Sequence, residues 1–178
     1  MNQKKAKLTA FCGMMVALSV VLMSITTIIP VFMYIIPLLT GLVVLLCEKL
    51  SSKKWAAAVY FAVSALSLIL VADKEAVLAY CLFFGYYPII RDYLQKLPKL
   101  LFLVTKLGVF NLAAVLIGVL GVYLFGLSAE EYSEFGKATI PILLALANLM
   151  FFMYEILLGK YGFMVERIAK KLKSKYKI

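Results

Sequence analysis

Long apolar runs separated by short charged segments dominate this chain. Six runs are read, over residues 8–29, 31–46, 55–72, 76–90, 100–125 and 138–159. About 20 apolar residues match the thickness of a bilayer core. A helix is the fold of such a run, because in lipid it satisfies its own backbone N–H and C=O groups. The pattern therefore predicts an all-α integral membrane protein with six transmembrane helices in one bundle. That bundle occupies residues 1–160, and a basic tail follows over 161–178.

Breaks within the runs refine this picture. Pro30 joins the first two runs with almost no loop, and Pro37 removes a backbone donor in the second. In "FFGYYPII" Gly85 and Pro88 predict a kink or an end to the fourth run. The bend serves either as a hinge or as a turn into the segment "RDYLQKLPKL", which ends near Pro98. In the tail, Tyr161, Met164, Val165, Ile168 and Leu172 recur at helical spacing among lysines. Such a helix lies on a membrane surface and attracts anionic lipid, or simply anchors the last span.

The loops decide orientation. One side collects Lys4, Lys5, Lys7, Lys49, Lys53, Lys54, Arg91, Lys96, Lys99 and the basic tail from Lys160 to Lys177. The other holds Lys74 and Lys137 among Asp73, Glu75, Glu130, Glu131 and Glu134. The positive-inside rule then places both termini in the cytoplasm, which six spans allow.

Composition agrees with the pattern. The 178 residues are 65% hydrophobic and 16% charged, with a mean hydropathy of +1.00. The net charge of +10 is confined to segments flanking the spans, so it reads as topology and not as a nucleic-acid surface. The first run begins like a signal peptide but passes into further apolar sequence, and is read as a retained span. Cys12, Cys47 and Cys81 lie in or beside apolar runs without a CxxC pair, and no histidine is present. That composition offers neither a metal site nor a disulfide frame, and no cofactor is expected. No catalytic constellation and no phosphate-binding GxxxxGK[ST] loop occurs, so the chain is read as a non-enzyme that does not itself hydrolyse ATP.

The polar residues inside the runs are few enough to be informative. Lys106 lies seven residues beyond Lys99, and Glu155 lies five before Lys160. At ~1.5 Å per residue they reach depths of about 10 and 7 Å. Opposite charges at matching depth on antiparallel neighbours predict an ion pair between Lys106 and Glu155, either structural or part of a substrate or ion site. Asn111 and Asn148 each lie twelve residues from the same basic ends, so their amides fall level near mid-bilayer. Lys106 and Asn111 are about 140° apart around their helix and cannot both face one neighbour squarely.

The opening "KKAKLTAFCGMMVALSVVL", within a short six-span chain with basic cytoplasmic ends, resembles the substrate-binding S component of energy-coupling-factor (ECF) transporters. The resemblance covers the whole chain in size and topology. Its motif is the small-residue pattern of the first span, with Gly13-xxx-Ala17 as the closest match. The resemblance implies that these residues meet the coupling helices of a transmembrane T subunit. Packing within the chain is the alternative. It also implies capture of a small molecule, energised by two separate ATPases, in a bacterial cytoplasmic membrane. A non-transporting membrane scaffold or assembly factor is the competing function.

A small-molecule site would lie among the fourth to sixth spans, with Tyr80, Asn111 and Asn148 supplying polar contacts in an apolar pocket. Tyr80 alternatively belongs to the interfacial aromatic belt, where Tyr123 is placed. No substrate can be named from these residues.

Overall fold

The computed structural model describes residues 3–126 and 139–176. Its elements are α1 (Gln3–Ile28), a 3₁₀ turn (Pro30–Phe32), α2 (Ile35–Leu50), α3 (Lys53–Leu70) and α4 (Lys74–Ala79). A π-helical turn (Tyr80–Phe84), α5 (Tyr87–Leu94), α6 (Lys99–Phe125) and α7 (Thr139–Tyr176) follow. Among the described residues all regular structure is helical. Glu130, Glu131, Glu134, Lys137 and Lys177 lie outside those residues.

Among the described residues four helices are long and apolar enough to cross a membrane, over Lys5–Ile28, Lys53–Leu70, Lys99–Tyr123 and Pro141–Arg167. Their outer faces carry large apolar side chains, among them Val21 at 62%, Phe61 at 67% and Leu112 at 64% exposure. Meanwhile Ser19, Thr40, Ser67 and Lys106 are buried. A water-soluble fold does the reverse, so these faces suit hydrocarbon.

The second and fourth runs behave differently. α2 has 16 residues, and ten of them, from Ile36 to Leu50, are buried. It forms the wall common to two apolar clusters. One gathers Met23, Val44, Val59, Val63 and Val77 from α1 to α4. The other gathers Leu45, Phe83, Phe110, Phe151 and Leu158, with α6 and α7 closing over it. Protein covers most of α2, and its exposed side chains, Ile35 and Leu39, are apolar.

Pro37 falls in the first turn of α2, where an N–H has no intrahelical acceptor, so no backbone bond is broken there. The fourth run is divided at Gly85 and Tyr86, before Pro88. Pro88 stands in the first turn of α5 and starts a helix, as its fixed φ favours, instead of kinking one. The segment "RDYLQKLPKL" thus begins as the second half of α5.

The tail boundary expected at residue 161 is not marked by a break. α7 runs continuously through Gly159 and Gly162 to Tyr176. Two glycines cost a helix about 1 kcal/mol each, and the Lys-, Leu- and Met-rich flanks are good helix formers.

Candidate functional site

The polar groups at membrane depth gather where the divided segment meets α7. A π turn withdraws carbonyls from the regular ladder, and side chains take their place. Tyr60 of α3 donates to the Cys81 carbonyl at 2.8 Å, and Tyr154 of α7 donates to the Phe84 carbonyl at 3.2 Å. The close approach depends on Gly41 of α2, where an added Cβ would stand 2.3 Å from the Phe84 oxygen and 2.6 Å from the Tyr154 hydroxyl. Gly85 is similarly constrained, since a Cβ would meet Tyr60 at 2.6 Å and Tyr80 at 2.8 Å.

One turn later, α5 presents Tyr87 and Arg91 on one face at i, i+4 spacing. Both reach Glu155 of α7. Arg91 Nε and Nη2 each lie 2.9 Å from Oε1, and the Tyr87 hydroxyl donates to Oε2 at 2.7 Å. Both carboxylate oxygens are therefore engaged, and the ionic side chains are only 15% and 12% exposed. Gly159, one turn along α7, leaves room for the guanidinium, which lies 3.7 Å from where its Cβ would be.

At the adjoining helix ends Lys49 and Asp92 pair at 2.9 Å, and Lys53 stands 3.7 Å from Glu48 and 4.0 Å from Asp92. Lys53 also lies 3.6 Å from the centre of the Tyr93 ring. Burial alone would raise the Asp92 carboxyl, but the Lys49 hydrogen bond and the charges of Lys49, Lys53 and Arg91 outweigh it and hold the group low. A cleft of about 300 Å³ opens beside this network, between Arg91, Lys49 and Gln95 on one side and Gly159, Gly162 and Glu166 on the other.

The expected ion pair between Lys106 and Glu155 is replaced by this arrangement. Glu155 takes Arg91, and Lys106 Nζ instead lies among aromatic rings, 4.7 Å from the centre of Phe102, 5.8 Å from Phe151 and 5.9 Å from Phe152. Tyr87 and Arg91 already fill both Glu155 oxygens, and Lys106 meets α7 one turn away, at Phe151. Lys106 shares the buried face of α6 with Phe110 and Ala113, about 140° from Asn111.

Asn111 does face α7. Its Nδ2 donates to Asn148 Oδ1 at 3.1 Å, and Asn148 Nδ2 donates back to Asn111 Oδ1 at 2.9 Å. Each amide also donates to the carbonyl one turn earlier, to Leu107 at 2.8 Å and to Leu144 at 2.7 Å. Tyr80 sits elsewhere, wholly buried in the cluster of α1 to α4, with its ring 6.0 Å from that of Tyr60. The three residues expected to share a ligand are thus divided between two places. Tyr123 is 84% exposed on α6.

Gly13 and Ala17 lie on the exposed face of α1 with Ala10, Met14, Leu18 and Val21, and a Cβ at Gly13 would meet nothing within 4 Å. The buried face of α1 is a different stripe, Cys12, Met15, Ser19, Met23 and Thr26. Among the described residues the small pair stays on the exposed side of α1.

A second cleft of about 350 Å³ opens at the opposite end, between Thr26, Thr27, Pro30 and Met33 and the segment Ala72 to Glu75. There Asp73 accepts from the Ala76 N–H at 3.0 Å and caps α4, Lys74 binds the Leu68 and Val71 carbonyls at 2.8 and 2.7 Å, and Tyr34 donates to Glu75. Neither cleft is lined by Tyr80, Asn111 or Asn148.

The pair missed in the sequence is Arg91 with Tyr87. Arg91 counted there as a loop charge, and the available signal was its i, i+4 spacing from Tyr87. Comparison of the chain with protein-family models, curated proteins and solved structures finds no match.

Proposed function

We propose that this chain is a membrane-embedded substrate-capture subunit, similar to an ECF S component, whose transport energy comes from separate ATPases. In this reading α2 and the α4–α5 pair complete six spans, both termini face the cytoplasm, and the membrane is a bacterial cytoplasmic one. The observation that carries it is the outward placement of Gly13 and Ala17. A small-residue face on a membrane helix lets another helix approach closely, and among the described residues this face is exposed, with nothing within 4 Å of a Cβ at Gly13. The divided α4–α5 segment adds support, since discontinuous helices form the substrate sites of many transporters.

The test is purification of the tagged chain from its native membrane. A T-type subunit and two ATPases co-elute with the wild type, and Gly13→Leu with Ala17→Leu abolishes their recovery without altering the monodispersity of the chain. Recovery of no ATPase, or undiminished recovery by the double variant, rejects the capture reading.

A specific observation favours the alternative, a non-transporting scaffold or assembly factor. Asn111 and Asn148 satisfy each other, and Tyr80 is wholly enclosed, so the residues proposed for substrate make their bonds within the chain. A chain that recruits neither ATPases nor a small ligand is that scaffold.

A further inference from the structure

Lys106 is 8% exposed at membrane depth. Among the described residues it has no carboxylate within 4.0 Å and no hydrogen bond. The two carboxylates of α7 are engaged elsewhere, Glu155 by Arg91 and Glu166 by Lys170 at 3.2 Å. The three phenyl rings around the ammonium attract a cation, but they supply no counter-charge. Together Arg91, Glu155 and Lys106 leave one positive charge uncompensated at this end of the helices.

The ammonium keeps a little accessible surface. The fully enclosed unpaired side-chain atoms among the described residues are Ser19 Oγ, Glu48 Oε2, Ser64 Oγ, Ser67 Oγ and Tyr80 Oη, and Lys106 Nζ is not one of them. Its nearest ring is Phe102, one turn toward the start of α6, the direction in which helical side chains lean. Seven residues along the same direction stands exposed Lys99, within about 20° of the same face. Exposed Lys160 of α7 comes level with Lys99, because each lies twelve residues from its hydrogen-bonded asparagine. Leu103 at 39%, Phe152 at 42% and Ile156 at 56% exposure offer apolar surface on the same stretches of α6 and α7.

We propose that Lys106 is the inner anchor of a site for the phosphate of an anionic membrane lipid, with Lys99 and Lys160 at its mouth. The lysines supply charge complementary to a phosphodiester, and the apolar surface on the same stretches suits an acyl chain, which free phosphate lacks. The inference needs the chain to reside in a bilayer but is independent of the capture function.

The test uses the full chain in phosphatidylcholine vesicles with and without phosphatidylglycerol, reading retained lipid by native mass spectrometry. The wild type retains phosphatidylglycerol, Lys106→Arg retains it, and Lys106→Met weakens retention about fivefold, the equivalent of ~1 kcal/mol per basic residue at an anionic surface. Equal retention by Lys106→Met overturns the proposal. Thermal protection of the wild type by inorganic phosphate in neutral vesicles, equal to that given by phosphatidylglycerol, overturns the lipid assignment in favour of a free anion. Should Lys106→Met fail to fold, the mouth variant Lys99→Met with Lys160→Met decides, and undiminished retention by it rejects the site.

Discussion

Arg91 and Glu155 tie α5 to α7 through two guanidinium nitrogens that converge on one carboxylate oxygen, each at 2.9 Å. Tyr87 holds the other oxygen at 2.7 Å. The restart of the helix after Gly85 makes this contact possible, because it swings Tyr87 and Arg91 onto the face that meets α7.

Removing the acid from this set leaves a guanidinium nearly buried. Glu155→Gln is expected to lower stability in detergent by about 3–5 kcal/mol, while replacing both partners with apolar residues costs much less. Exchanging the charges, Arg91→Glu with Glu155→Arg, recovers part of the loss. Lys106→Met combined with Glu155→Gln should give an additive result, since the two groups are not partners. A non-additive cycle in equilibrium unfolding would show that Lys106 does contact the acid.

The amide pair between α6 and α7 predicts strong coupling. Asn111→Ala or Asn148→Ala is expected to cost on the order of 1 kcal/mol, and the double variant little more than either single. A double-mutant cycle with no interaction energy refutes the reciprocal bond.

These two pairs mark how far the sequence could be read. Asn111 and Asn148 were legible because counting from the basic helix ends gives depth, and equal depth on antiparallel neighbours brings short amides together. Depth says nothing of competing partners, so the same counting joins Lys106 to Glu155, whereas Arg91 and Tyr87 take that acid and Lys106 lies among rings. Arg91 is not legible from pattern alone, because it follows the apolar run and only the early restart of the helix at Tyr87 turns it inward. The apolar runs gave away the long spans for a simple reason, since length and hydropathy are summed over many residues. Continuity of α7 past Gly162 rests on the balance of glycine cost against strong helix-forming flanks, which pattern alone does not resolve.

Asp92, beyond the apolar part of the divided segment, gives a pH signature. Its carboxyl is held low despite partial burial, chiefly by Lys49. A lowered folded value stabilises the fold above the unfolded value of about 3.9, and that contribution is lost as pH falls through the folded value. Asp92→Asn should therefore lower the melting temperature in detergent at neutral pH, by the equivalent of at most about 1 kcal/mol for so accessible a pair. The gap between wild type and variant closes as pH falls well below about 4. A gap that persists undiminished in acid excludes the ion pairs as its source.

Gly41 admits no side chain without displacing the Phe84 carbonyl or the Tyr154 hydroxyl. Gly41→Ala is expected to destabilise by about 1–3 kcal/mol through this overpacking. Measured unfolding equal to wild type would mean that the crossing of α2 with the π turn is looser than these distances.

The unbroken course of α7 has a mechanical consequence. Its 38 residues extend about 57 Å at ~1.5 Å per residue, against roughly 30 Å of hydrocarbon. Past the apolar stretch that ends at Arg167 the rod continues as a lysine-rich helix, unbroken from the shaft that carries Asn148 and Glu155. A rocking of that shaft within the bilayer is delivered, magnified, to whatever touches the outlying end.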